Sequence, residues 1–325
     1  MAASTVDLIP HDQSLEHYSH VNLLTSLPRG AMNAESKMCR TGLETRLASR
    51  SGAFSSITSG HAGGFLQASP VILPSRYARD FRLLCARNPV TCPLLAESGG
   101  PGRIQQMVSH IPGVSGQQLA SDLDIRRDIP RYMVYQNGKV LKDACKNIME
   151  EWNDDYVFFL IGCSYSFETA LSNAGLPPPH VVMNYNCPMY RTRIPLNPAG
   201  AFSDSTMVVS MRTYKLVDIE RIRAITRPFL FTHGEPVAWG WASFKKLGIE
   251  NIDRPEWGDS PLTRQGTSLE SVFGDEENVP VFWGCGVKPQ EAVMKAKLPE
   301  KVMCHCPGHV LILDVHDSTV MNIDI

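Results

Sequence analysis

Cysteine, histidine and arginine side chains recur in this chain where an apolar run ends. The stretch Tyr156-Val-Phe-Phe-Leu-Ile-Gly162 runs straight into Cys163-Ser-Tyr-Ser-Phe-Glu168. That order predicts a buried strand, a tight turn and a helix, with Cys163 at the helix start. Backbone N–H groups and the positive end of the helix dipole gather there, which favours anions and thiolates. The pattern recurs at Val279 to Trp283, followed by Gly284-Cys285-Gly286, with Pro289 in the first turn of the next helix. Cys163 reads as a nucleophile or acid–base group; a small buried hydrophobe is the plainer alternative. Cys285, between two glycines, divides evenly between those readings. Glu168 fits either a catalytic carboxylate or a charge that complements the helix dipole.

In open α/β sheets, ligands bind beyond the carboxyl ends of the strands. Directly after the predicted strands stand Cys163 with Ser164, Arg212, His233, Cys285 and His305. Thiol, imidazole and guanidinium groups are therefore expected at one edge. Arg191 and Arg212 could grip a carboxylate with a planar fork of donors. Arg212 closes the apolar run Val208-Val-Ser-Met, which argues against a solvated surface position. Cys304-His-Cys-Pro-Gly-His309 offers four metal ligands, but the second half of a zinc pattern is missing nearby. His305 and His309 are read first as structural or acid–base groups, and a metal at Cys304, His305, Cys306 and His309 stays an alternative. Asp314 and His316 have no special role.

The elements that must hold these residues are set by periodicity. A helix is expected over about 36–49, with Leu43 and Leu47 on one face. Residues 52–64 form a glycine-rich loop, 71–73 a strand ended by Pro74, and 76–87 a helix. Tyr132 to Tyr135 turns through Gln136-Asn-Gly138 into a second strand. Later strands are expected at 206–211, 229–232, 302–304 and 310–315, with a helix at 219–226 capped by Asp218. Alternating strands and helices suggest an α/β fold with parallel pairing. Residues 1–36 read as a loose polar segment, with a short helix near Leu15 to Leu24.

The 325 residues, 43% of them hydrophobic, can bury a substantial core. With 31 basic and 33 acidic residues, the net charge of −2 asks for neither nucleic acid nor an anionic membrane. No apolar run approaches the ~20 residues of a membrane span. The start lacks the features of a secretory or mitochondrial leader, and the last four residues match no retrieval signal. Nine scattered cysteines read as reduced thiols of a cytoplasmic protein.

These motifs resemble the D-glutamate cyclase family, the DUF1445 or UPF0317 hydro-lyase group, of which this chain reads as a divergent member. The matching segments are Arg46-Leu-Ala-Ser-Arg50-Ser-Gly52, Val71-Ile-Leu-Pro74 and Asp124-Ile-Arg-Arg-Asp-Ile-Pro130. Ile161-Gly-Cys-Ser-Tyr-Ser-Phe-Glu168, Asn186-Cys-Pro-Met-Tyr-Arg-Thr192 and Val209-Ser-Met-Arg212 come next. Pro280-Val-Phe-Trp-Gly-Cys-Gly-Val-Lys-Pro-Gln290 and Pro307-Gly-His309 complete the set. The resemblance implies two interleaved α/β subdomains with mixed sheets within residues 37–325, changing over near 140–150. It also implies a cofactor-free hydro-lyase that converts D-glutamate to 5-oxo-D-proline and water. The expected catalytic set is Cys163, His305, His309, Cys285 and Glu168. The expected substrate contacts are Arg191, Arg212, Ser164, Tyr190, Gln67, Arg50 and His233. The expected partner is a small carboxylate substrate, with homo-oligomerisation left open. The chain departs from the family pattern at Ser69, Ala238 and Trp241, which suggests an altered pocket wall and an altered substrate. A two-cysteine racemase and a non-catalytic binding relative are the rival readings.

Overall fold

The computed structural model describes residues 39–321. The expectations for the first 36 residues and the last four lie outside that range. Twelve strands are described: β1 (Phe65–Pro74), β2 (Leu94–Ser98), β3 (Met107–Ser109), β4 (Tyr132–Gln136), β5 (Lys139–Cys145), β6 (Tyr156–Gly162), β7 (Met189–Pro195), β8 (Thr206–Tyr214), β9 (Ala238–Trp239), β10 (Val279–Gly284), β11 (Val302–His305) and β12 (Leu311–His316). Eight α-helices accompany them: α1 (Gly42–Ser51), α2 (Ala78–Arg87), α3 (Gly116–Leu119), α4 (Glu168–Asn173), α5 (Pro179–Met183), α6 (Ile219–Thr226), α7 (Trp241–Leu247) and α8 (Lys288–Ala296).

The larger sheet has the order β3-β2-β6-β1-β11-β4-β5, and β12 pairs with the first half of β1. The smaller sheet has the order β7-β8-β10-β9. The α/β character holds. The expected parallel pairing does not, because every described ladder is antiparallel. The reason lies in the connections. The chain leaves β6 through α4 and α5 and enters the smaller sheet, instead of crossing back beside β6. The larger sheet therefore takes strands from both ends of the described chain and the smaller sheet takes the middle.

β1, β6 and β10 are buried almost end to end, as strands covered on both faces must be. Phe158 and Leu160 of β6 share one core cluster with Val281 and Trp283 of β10, so the two sheets close on common apolar ground. Trp283 is fully buried and its indole N–H donates to Thr226 Oγ1. Truncating it to alanine would cost about 3–5 kcal/mol. Gly162 has no room for a side chain, since a Cβ there would strike the carbonyl of Phe231.

The hairpin at Asn137-Gly138 forms as expected, with φ of 51° and 74°. Both strand–Gly–Cys–helix units form, and Pro289 opens α8. Three local expectations fail. Residues 230–232 make a 3-10 turn rather than a strand, and His233 comes after it with φ of 87°. Asp218 makes no side-chain cap for α6. The buried face of α1 carries Arg46, not Leu47, because the Arg46 guanidinium reaches Asp314, Ser121 O and Ile312 O. No helix among the described residues is long and apolar enough to cross a membrane.

Candidate active site

A tight cleft of only about 10 Å³, walled by buried residues, lies between the carboxyl ends of β6 and β10, the loop before β7, and the turn after β11. Cys163, Ser164, Cys187, Ser210, Cys285 and His305 all line it, with Ser69 and Gly286. The two strand–Gly–Cys units thus meet, as does the β11 histidine. Three thiols share this space.

Behind the cleft lies a buried ion network. Arg212, within β8, donates from Nη2 to Glu168 Oε1 at 2.6 Å and to Ser164 Oγ at 3.1 Å. Its Nη1 donates to Ser210 Oγ at 3.1 Å. The guanidinium stacks over Phe167 and Trp283, with ring centroids 5.2 and 5.3 Å away. His180 of α5 places Nε2 2.9 Å from Glu168 Oε1 and 3.1 Å from Ser59 Oγ. Ser59 in turn donates to Glu168 Oε2 at 2.7 Å. Partners from three other segments thus hold one carboxylate.

Charge decides what this network does. Burial alone would lift the carboxyl of Glu168, but His180 and Arg212 outweigh it and hold the group below the usual carboxylate range. Burial would likewise neutralise His180, yet Cys187 and Glu168 raise it to about 9. Burial would raise the Cys187 thiol, and Arg212 and His180 override that and bring it below the ordinary thiol value. Glu168, His180, Arg212 and Cys187 therefore form one buried electrostatic cluster, in which the Cys187 S–H faces Met211 O at 3.5 Å. The other two thiols lack this support. Burial pushes Cys163 up, and it pushes Cys285 up to about 12. Cys187, and not Cys163, is the activated sulfur. Its motif is Asn186-Cys-Pro-Met-Tyr-Arg-Thr192, which contains neither of its activating partners, His180 and Arg212.

His305 is the second chemically open group. Its Nδ1 lies 2.9 Å from Cys306 O, while Nε2 has no hydrogen-bond partner among the described residues. Burial lowers it to about 4, so it is a neutral imidazole with Nδ1–H bound to the carbonyl and Nε2 free to accept. Gln290 of α8 pins the backbone from below by donating to His305 O at 2.7 Å.

Several expected contacts lie elsewhere. Arg191 forks onto the buried Glu291, with both bonds at 2.8 Å, and does not line the cleft. Arg212 gives Glu168 a single bond from Nη2 rather than a fork, and its Nε has no hydrogen-bond partner among the described residues. Tyr190 is core of the smaller sheet, its hydroxyl donating to Ile252 O. Arg50 ties α1 to Asp122 and Asp128. Gln67 hangs under the glycine-rich loop, donating to Thr58 O at 3.3 Å. His233 turns toward Val90 O, and burial lowers it to about 3. His309 folds onto Pro307 O beside the cleft and does not line it. Ala238 sits in edge strand β9, and Trp241 packs on Phe273 and donates to Asp275 O. Neither forms a wall of the cleft. Cys304 faces the core away from His305, because alternate residues of a strand point to opposite faces. Among the described residues no group of three or more His, Cys, Asp or Glu side chains could hold a metal.

This arrangement comes from a chain with close relatives. Residues 157–314 match the family model described as D-glutamate cyclase. A protein of Schizosaccharomyces pombe named "Putative hydro-lyase C5H10.01" is 41% identical over 84% of this chain and 84% of its own length. The chain belongs to the D-glutamate cyclase family. Relatives with the same kind of name occur in Burkholderia multivorans, 41% identical over 86% of this chain and 97% of that protein, and in Staphylococcus haemolyticus, 41% identical over 80% and 90%. The matched segment holds Cys163, Glu168, His180, Cys187, Arg212, Cys285 and His305. Family membership supports a hydro-lyase assignment at that level.

Proposed function

We propose that this protein is a cofactor-free hydro-lyase that cyclises a small amino carboxylate with loss of water, D-glutamate to 5-oxo-D-proline being the first candidate. The observation that carries this reading is the activated Cys187, backed by His180, Glu168 and Arg212, opening onto the same cleft as the unpartnered Nε2 of His305.

The proton count of the reaction fits such a pair. The ammonium nitrogen loses two protons in becoming a lactam N–H. The departing carboxylate oxygen needs two protons to leave as water. No proton is consumed overall, so the enzyme must only accept protons at nitrogen and return them at oxygen. The Cys187 thiolate and the neutral His305 are the two acceptors in the cleft. Once protonated, each becomes the acid for the departing oxygen. Arg212 and His180 keep the thiolate anionic between turnovers.

The test is direct. The protein is incubated with D-glutamate, L-glutamate and related amino acids, and lactam is sought by proton NMR and as loss of one water by mass spectrometry. Cys187→Ala should lower kcat about a hundredfold or more. Lactam production at the wild-type rate by that variant would refute the assignment.

A second reading rests on Cys163 and Cys285, which line the same cleft from its two strand ends. Two thiols on opposite sides of a Cα could exchange its proton, which is racemase chemistry. Burial raises both thiols, so this reading stands second.

A further inference from the structure

Both arginines that could have met a substrate carboxylate already hold a glutamate, Arg212 Glu168 and Arg191 Glu291, and neither lines the cleft. The cleft still holds donors without a use. Ser69 of β1 is 1% exposed and lines the cleft, and its hydroxyl has no hydrogen-bond partner among the described residues. A buried hydroxyl left unpaired costs free energy until a partner arrives. The Ser69 Oγ lies directly against Gly286, where an added Cβ would collide with it. Gly286 N–H forms no hydrogen bond among the described residues either. Gly286 and Val287 also line the cleft and lead into α8, whose first amides are already used: Val287 N–H faces Cys285 Sγ, Lys288 N–H donates to Cys285 O, and Pro289 has none.

We propose that Ser69 Oγ and the Gly286 amide form the seat for the substrate carboxylate that does not react. This rests on the reading of the cleft as the site of an amino-carboxylate reaction. Carboxylate recognition here uses a hydroxyl and a bare backbone amide, without a guanidinium. Gly286 keeps the amide open, and Ser69 makes the second contact. His305, whose Nε2 is also unpartnered, is placed to meet the adjacent amine.

The probe is glutarate, which carries both carboxylates of glutamate but no amine and cannot cyclise. Its affinity is measured by calorimetry for the wild type and for Ser69→Ala, and lactam formation from D-glutamate is followed separately by NMR. Ser69→Ala should weaken glutarate binding roughly ten- to hundredfold, as expected for a lost hydrogen bond to a charged group. Its melting temperature should be no lower than that of the wild type, since the hydroxyl removed had no partner in the fold. A merely structural serine would show the reverse, a lower melting temperature with affinity intact. Unchanged glutarate affinity in Ser69→Ala overturns the seat, as does a wild type that binds no glutarate. Lost affinity in Ser69→Ala without any lactam from wild type and D-glutamate would keep the seat and remove the proposed reaction. Lactam formation with unchanged glutarate affinity would do the opposite.

Discussion

Arg212 Nη2 lies 2.6 Å from Glu168 Oε1, and neither side chain has more than a trace of exposure. Such a pair is held by what surrounds it more than by its own attraction. Replacing Glu168 with alanine leaves two buried basic groups, Arg212 and His180, without the carboxylate they share. We expect Glu168→Ala to lose about 3–5 kcal/mol of stability, read from denaturant unfolding. A loss below about 1 kcal/mol, the scale of an exposed pair, would mean that water reaches the network.

Cys187 should announce itself chemically. At mild pH a small alkylating reagent is expected to label Cys187 ahead of Cys163 and Cys285, because only Cys187 is held below the usual thiol range. Peptide mapping by mass spectrometry gives the order. Arg212→Met should slow the labelling of Cys187. If Cys163 reacts first in the native protein, the charge argument has chosen the wrong sulfur.

Lys288 provides a pH test. It is fully buried, with Nζ donating to Thr91 O at 2.9 Å, and burial lowers it from 10.5 to about 8. The unfolded chain keeps this proton up to about pH 10.5, and the folded chain releases it near 8. Between those values the unfolded state binds more protons, so stability from this group rises with pH. Below about 8 the full cost of burying the charge is present. Lys288→Met should therefore gain most relative to the wild type near neutrality, and the gain should shrink toward about pH 10. Paired melting curves over that range measure it. A difference independent of pH would show that Lys288 is not buried as a cation.

The second reading of the cleft has its own measurement. In deuterated water, a Cys163–Cys285 proton exchange would wash deuterium into the Cα position of recovered D-glutamate, visible by NMR. We expect none, because burial pushes both thiols up and no nearby cation outweighs it. Rapid exchange without lactam would hand the site to racemase chemistry.

Much of this site was readable from residue order. Cys163, Cys285 and His305 stand where apolar runs stop, and a strand end is a local signal. The family motifs carried Glu168 and Arg212 as well. What residue order could not show is who holds whom. Arg191 looked free until Glu291, 100 positions away, claimed its fork. His180 carries no local signal, since its importance comes from Glu168 and Cys187 meeting it across α4, α5 and the loop before β7. Sheet direction escaped for a related reason. A helix after a strand usually returns the chain to a parallel neighbour. Here β6 is flanked by β1 and β2, both antiparallel, so that place was already filled.

The innermost ladders of the larger sheet join Val71 to Cys304 and Gln67 to Ile312. During synthesis β1 can pair with β6, but its other edge must wait for partners made more than two hundred residues later. Assembly of this kind is governed by distant pairings and is slow. The nascent protein spends that interval with one edge of an apolar strand uncovered, and helper proteins that shield such strands should matter more to its yield than to its finished stability.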